Sequence, residues 1–176
     1  MLPGCGRDMG WREMLCQKKF YGMCAMLLCG GLSGMMVISS ASDMAQVEAG
    51  FSPAAAALMV SVLSLFNAGG RASAGILSDK LGRIGTRSLV FPISVAALCA
   101  LFFFGQDSMA VFAVSIALVG ACFGALMGIF PGFTADEFGQ RNNTVNYGIL
   151  FFGFALSGML GPQVASWVMS GTGSYR

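Results

Sequence analysis

Residues 57–87 read ALMVSVLSLFNAGGRASAGILSDKLGRIGTR, a long apolar run that contains one cation, Arg71, and ends in a charged turn. A charge at membrane depth is costly, so it normally faces a bundle interior or a water-filled cavity. Ser64, Asn67 and Arg71 are spaced by three and four residues, which places them on one helical face. This stripe predicts a cavity in which Arg71 binds an anion beside Ser64 and Asn67. Two alternatives stay open: Arg71 snorkels to the nearby end of its span, or it pairs with a carboxylate.

The whole chain has the composition of a membrane protein. Of its 176 residues, 56% are hydrophobic and 10% are charged, and the mean hydropathy is +0.73, whereas soluble domains have about 25% charged residues. The net charge of +2 comes without a dense basic cluster, so we expect no nucleic-acid partner. There is no histidine, which excludes Ser-His-Asp catalysis and histidine-ligated zinc, and the six cysteines show no CxxC spacing. We therefore predict a protein that is not an enzyme and has neither cofactor nor metal.

Five apolar runs are long enough to cross about 30 Å of hydrocarbon as helices. They predict spans at about 20–42, 53–77, 88–105, 109–135 and 147–169. The predicted fold class is therefore an all-α membrane protein with five transmembrane helices. We divide the chain into a cytoplasmic N-terminal segment (1–19), a transmembrane helical bundle (20–169) and a C-terminal tail (170–176).

Glycines recur at four-residue steps in two of these spans. Gly30 and Gly34 lie in the first, and Gly120, Gly124 and Gly128 lie in the fourth. Small residues at this spacing form a flat helix face on which a second backbone can lie closely. We predict that both faces serve helix packing.

The positive charges indicate how the chain is oriented. Lys and Arg concentrate in cytoplasmic loops. If the amino terminus lies inside, the inner segments hold eight of the ten Lys and Arg residues, and only Arg71 and Arg176 lie elsewhere. The eight are Arg7, Arg12, Lys18, Lys19, Lys80, Arg83, Arg87 and Arg141. We predict a multi-pass protein of the cell membrane with a cytoplasmic amino terminus.

Residues 75–83, GILSDKLGR, resemble the loop motif of the major facilitator superfamily, Gly-x-Leu-(Ala/Ser)-Asp-(Arg/Lys)-x-Gly-Arg. Within that superfamily, segments 33–42, 130–139 and 146–151 resemble the oxalate/formate antiporter family and its monocarboxylate-carrying relatives. The resemblance implies a twelve-helix carrier with two lobes, in which this chain supplies the seventh to eleventh helices, most of one six-helix lobe. We accordingly expect an N-terminal lobe or partner chain that is missing here, and a sixth span beyond 170–176.

The resemblance also assigns roles to residues. Arg71 resembles the anion-binding arginine of the eighth helix, and Phe154 occupies the position of a lysine that contributes in the oxalate carrier. With one cation instead of two, we favour a monocarboxylate such as formate, lactate or pyruvate over oxalate. Whether Phe154 lines the pocket or only packs stays open. The motif residues that the resemblance connects with conformational change are Gly75, Asp79, Lys80, Gly82 and Arg83.

Asp79 has two interpretations. The superfamily resemblance makes it a latch that accepts hydrogen bonds from the amino end of a neighbouring helix, where the helix dipole favours an anion. Alternatively, it pairs with Arg83 four residues later.

The predicted function is secondary transport of a small organic anion by alternating access, in a lipid bilayer. One alternative is a proton-coupled carrier of the same superfamily for another solute, although the spans show no embedded Asp or Glu to take the proton. The other alternative is a truncated, non-transporting membrane protein whose glycine faces mediate helix association.

Overall fold

The computed structural model describes residues 8–106 and 108–173. Arg7 and Arg176, which the charge count used, lie outside them. All regular structure in the described part is helical, and four helical stretches are long and apolar enough to cross a membrane. The helices are α1 Trp11–Leu15, α2 Lys18–Val47, α3 Pro53–Phe104, α4 Met109–Phe138, α5 Asn143–Leu150 and α6 Phe152–Thr172, with α5 and α6 forming one stretch. The predicted class, an all-α membrane protein, is confirmed.

The longest helix, α3, is a hairpin. A straight helix of 52 residues would extend about 78 Å. Ala56 near its start and Leu101 near its end nevertheless belong to one hydrophobic cluster with Phe112 of α4. The chain reverses at Gly82, whose φ of 74° and ψ of 162° interrupt the helix. Glycine suits this position because it adopts positive φ at little cost. We call residues 53–81 the first arm and residues 83–104 the second arm.

The first arm and α4 run parallel with their backbones almost in contact. A Cβ atom built on Gly120 would lie 2.8 Å from the carbonyl oxygen of Leu63, and one built on Gly128 would lie 2.9 Å from the carbonyl oxygen of Arg71. Gly124, between them, packs even more tightly against the first arm. These distances are shorter than real Cβ contacts, so only glycine allows this approach. The glycine steps thus hold the backbone of Arg71 against α4.

The glycines of α2 face two neighbours. Gly34 lies against the ring of Phe123, and a Cβ built on Gly30 would lie 2.9 Å from Cδ1 of Leu126, so both glycines face α4. On its other side α2 packs on α6, where a Cβ on Gly153 would lie 3.0 Å from a carbonyl oxygen of α2. The bundle is therefore built largely from contacts between helix backbones and small residues.

One end of the bundle is charged. Two salt bridges occur among the described residues, and both involve the carboxyl end of α4. Lys19 at the start of α2 pairs with Glu137 at 2.6 Å, and Arg83 at the start of the second arm pairs with Asp136. We call this the charged end. Two adjacent carboxylates thereby tie α4 to two different helices.

Much of the lateral surface is apolar. The side chains of Leu65, Phe152 and Trp167 are 71%, 66% and 81% exposed. Apolar surface of this extent is unfavourable in water and is typical of surfaces that meet lipid or another protein. The exposure pattern agrees with the membrane assignment.

Candidate functional site

A cavity of about 360 Å³ opens beside Arg71 in the half of the bundle nearer the charged end. The first arm contributes the arginine, α4 contributes one methionine, and α5 with the start of α6 supplies the rest of the lining. The lining residues are Arg71, Met127, Thr144, Tyr147, Gly148, Phe151 and Phe154. A cation therefore faces a largely aromatic wall.

The guanidinium of Arg71 is exposed and is not engaged in a salt bridge within the described part of the chain. Its Nε donates a hydrogen bond of 3.3 Å to Oδ1 of Asn67, one helical turn earlier. This bond orients the guanidinium but uses only one of its five N–H donors. The donors on the two terminal nitrogens have the fork geometry that binds a carboxylate through two parallel hydrogen bonds.

The opposite wall is a run of rings on one helical face. Tyr147, Phe151 and Phe154 follow at spacings of four and three residues. The ring centroids of Tyr147 and Phe151 are 5.5 Å apart, and those of Phe151 and Phe154 are 4.7 Å apart. Tyr147 lines the same cavity as Arg71. An apolar wall lowers the local dielectric constant and so strengthens the attraction between Arg71 and an anion.

The structure brings together two of the four residues that the sequence predicts for substrate binding. Arg71 and Phe154 both line the cavity. Asn67 lies behind Arg71 as its hydrogen-bond partner. Ser64 lies two turns away, exposed, and its hydroxyl donates to the carbonyl of Val60 at 2.9 Å on its own helix. Ser64 is therefore not among the lining residues.

Sequence reasoning missed the α5 side of the cavity. Segment 146–151 was named only for its family resemblance, and none of Thr144, Tyr147, Gly148 and Phe151 was predicted to line the cavity, although the 147, 151, 154 spacing of aromatic residues was visible. Aromatic residues in an apolar span are usual, and the spacing gains meaning only when Arg71 is known to lie opposite.

None of the motif residues is among the described lining residues of the cavity, although Gly75 follows Arg71 by one helical turn. Arg83 pairs with Asp136 of α4 rather than with Asp79 four residues earlier. Asp79 and Lys80 are exposed, and space around Gly75 is open. The structure thus gives Arg83 a tertiary partner, and the latch role of Asp79 stays a prediction.

A second cavity, of about 480 Å³, lies near the opposite end between α2, the second arm and α6. Its wall is largely apolar, with Met36, Leu98 and Phe102 among its members, and no Lys or Arg lines it within the described residues. The larger volume does not make it the better anion site, because it lacks the positive charge that an anion needs on leaving water.

Residues 3–162 match the family profile of the Major Facilitator Superfamily. The chain is 34% identical over 150 residues to the uncharacterized MFS-type transporter YhjX of Escherichia coli, covering 85% of this chain and 37% of that protein. It is 24% identical over 167 residues to the oxalate:formate antiporter of Oxalobacter formigenes, and the match covers 95% of this chain and 40% of that protein. It is 27% identical over 131 residues to monocarboxylate transporter 12 of Xenopus laevis, and the match covers 73% of this chain and 28% of that protein. The chain therefore spans two fifths or less of the length of these relatives.

Proposed function

Because this chain belongs to the major facilitator superfamily, we propose that it forms part of a multi-pass secondary carrier that moves small monocarboxylates across a membrane by alternating access. The observation that carries this proposal is the cavity in which the guanidinium of Arg71 faces an aromatic wall. Two of the relatives are named as an oxalate:formate antiporter and a monocarboxylate transporter, which supports a carboxylate substrate.

The lining favours one carboxylate over two. Arg71 is the single cation among the described lining residues, and it can hold one carboxylate through paired hydrogen bonds. A second carboxylate would meet Phe151 or Phe154, where it would lose hydration without gaining a partner. Formate, lactate or pyruvate therefore fits this wall better than oxalate.

The cavity offers little for proton coupling. Its described lining contains no Asp or Glu, and the group that accepts from Arg71 is the amide of Asn67 rather than an acid. This composition favours an anion carrier over the alternative of a proton-coupled carrier for another solute.

Alternating access needs a second lobe that closes over the substrate. We propose that an N-terminal lobe or a partner chain covers the Arg71 cavity and that the two lobes rock about the bound anion. The charged end, with Lys19 and Arg83, would face the cytoplasm of a cell membrane, in line with the distribution of positive charge.

Binding to the purified chain in lipid nanodiscs tests the proposal. Labelled pyruvate, lactate, formate and oxalate are titrated against the natural chain, Arg71→Gln and Arg141→Gln. Arg141 is a matched control because its side chain is exposed at the charged end, outside the cavity lining. We expect Arg71→Gln to weaken monocarboxylate binding about ten- to a hundredfold, as loss of a charge-assisted hydrogen-bonded pair implies, and Arg141→Gln to leave it unchanged.

The same variants are then compared for uptake by vesicles that contain the chain together with its second lobe. Uptake that needs Arg71 but not Arg141 would support the carrier mechanism. Carboxylate binding that is equal in Arg71→Gln and the natural chain would remove Arg71 from the mechanism and overturn the proposal.

A further inference from the structure

Residues 8–16, which we call the N-terminal strap, cross the charged end and join α4 to α5. The N–H of Met9 donates to the carbonyl of Phe138, the last residue of α4, at 2.9 Å. The carbonyl of Met9 accepts from the side-chain amides of Asn142 at 3.2 Å and Asn146 at 3.1 Å. One residue of the strap therefore bonds both to the end of α4 and to the beginning of α5.

Further contacts seat the strap. The carboxylate of Asp8 accepts from the N–H of Arg141 at 3.2 Å. Gly139 has a φ of 90°, and a Cβ built on it would lie 2.6 Å from the Cα of Asp8, so the turn after α4 leaves room for the strap. Met14 is fully buried in the main hydrophobic cluster together with Leu150 of α5. The strap is thus packed into the bundle as well as hydrogen-bonded to it.

Asn146 lies on α5 between the strap and the cavity. It is fully buried and bonds to the strap, whereas Thr144, Tyr147 and Gly148 of the same short helix line the Arg71 cavity. Phe151, the residue after α5, has helical φ and ψ of −64° and −13°, so α5 continues into α6 and Asn146 shares one helical stretch with the lining residues. A change in how the strap holds Asn146 would therefore move the wall that faces Arg71.

The amide of Asn146 is a costly way to fill this space. Its Oδ1 is buried without a hydrogen-bond partner in the described part of the chain, and such an atom loses hydration without compensation. A side chain of similar size without polar atoms would avoid that cost. What the amide supplies, and leucine would not, is the bond to Met9.

We propose that the N-terminal strap fixes the position of α5 and that Asn146 is the positioning residue through which it sets the cavity wall opposite Arg71. The effect on substrate affinity rests on the proposed function, whereas the effect on α5 does not.

Hydrogen exchange of the whole chain in nanodiscs, without ligand, tests the strap directly. The variant is Asn146→Leu, and Asn143→Leu is its matched control. Asn143 is on the same helix and also has a buried Oδ1 without a partner, but its amide donates to the carbonyl of Pro131 in α4 at 3.1 Å and not to the strap. We expect Asn146→Leu to raise amide exchange about five- to tenfold in residues 9–16 and 144–150, as loss of one buried hydrogen bond implies. Asn143→Leu should leave residues 9–16 as protected as in the natural chain.

Pyruvate titration of the same samples adds a measurement that plain destabilisation would not move. We expect Asn146→Leu to weaken pyruvate binding about fivefold while the unfolding midpoint stays within about 2 °C of the natural chain, because the unpaired oxygen is removed together with the bond. If the natural chain binds no carboxylate but Asn146→Leu still loosens residues 144–150, the proposed function fails and the strap stands.

Asp8→Ala is a second variant for the case in which Asn146→Leu does not fold. Asp8 is exposed, and within residues 8–106 and 108–173 its carboxylate accepts one side-chain hydrogen bond, from the N–H of Arg141, which the variant removes. We expect exchange of residues 9–16 and 144–150 to rise about twofold to fourfold, as one exposed hydrogen bond implies. Unchanged exchange of residues 144–150 in Asp8→Ala, or in a folded Asn146→Leu, would overturn the strap proposal.

Discussion

The two sides of the Arg71 cavity are held in different ways. On the first-arm side, Gly124 and Gly128 bring the backbone of α4 against the backbone that carries Arg71. On the α5 side, a Cβ built on Gly148 would have no atom within 4 Å, although Asn146 and Leu150 of the same helix are fully buried. The cation is thus mounted on a close-packed interface, whereas the wall opposite has free space. This difference suits a site that must keep its charge in place while its shape changes.

The largest expected effect comes from breaking the close-packed side. In Gly124→Ala, the added methyl group would overlap the carbonyl of Asn67, which is backbone and cannot rotate away. We expect a loss of about 2–3 kcal/mol in the free energy of unfolding, as overpacking of a dense interface implies. Unfolding of the purified chain by sodium dodecyl sulfate, followed by circular dichroism, measures this change.

Gly22→Ala is the control for that variant, because Gly22 lies in α2 with no atom within 4 Å of a built Cβ. We expect its stability to stay within about 1 kcal/mol of the natural chain, or to rise slightly through helix propensity. Equal losses in the two variants would show that close packing is not what distinguishes the first-arm side.

On the α5 side, a larger side chain should leave stability unchanged but weaken monocarboxylate binding. In Gly148→Leu, the new side chain would enter the cavity without meeting protein atoms near its Cβ. We expect unchanged stability and at least about tenfold weaker monocarboxylate binding, since the ligand would have to displace a side chain of its own size. Gly22→Leu, which adds the same side chain at an open position of another helix, should bind normally. Normal binding in Gly148→Leu would place the substrate elsewhere.

Specificity should change when the wall gains a charge. Phe154→Lys would set a second cation in the lining, across from Arg71. We expect the ratio of oxalate to formate affinity to rise about tenfold, because the second carboxylate would gain a charge-assisted hydrogen bond. Competition of both anions against labelled pyruvate measures the ratio. Phe154→Met serves as the control for lost ring packing, and a ratio that rises equally in both variants would contradict the charge argument.

The smallest effect is expected at the charged end. The ion pair of Arg83 and Asp136 is about one third to one half exposed on its two sides, and such pairs contribute about 0–1 kcal/mol. A double-mutant cycle with Arg83→Gln and Asp136→Asn should give a coupling energy in that range, decreasing in high salt. A coupling above about 2 kcal/mol would show that this pair helps to hold the bundle together.

The sequence predicts the helical membrane class because two local properties determine it. The length of an apolar run has to match the thickness of the bilayer, and the spacing of glycines determines how closely two helices can pack. It also predicts Arg71 as a candidate site residue, since a charge at membrane depth stands out against its neighbours, and the structure places Arg71 in a cavity wall. The aromatic wall could not be assigned in advance, because Phe151 and Tyr147 resemble ordinary apolar residues until their neighbour is known. The partner of Arg83 was equally hidden, because the carboxylate that it meets is 53 residues further along the chain.

The N-terminal strap is a second feature that the sequence does not predict. Residues 1–19 were predicted as a polar cytoplasmic segment, and their composition gives no sign that Met14 is buried. One methionine among charged residues has no periodicity to detect, so its burial follows only from the site that α4 and α5 create together. Local patterns therefore identify elements that pack along their whole length, and they miss short segments that dock at a few points.

The reversal at Gly82 uses one non-helical residue, so it leaves little freedom for one arm of the hairpin to tilt relative to the other. A loop of several residues would absorb a tilt of one arm, whereas a bend of one residue passes that tilt to its neighbour. Displacement of the first arm, which carries Arg71, would therefore displace the contact between Arg83 and α4. The two arms would move together as one unit.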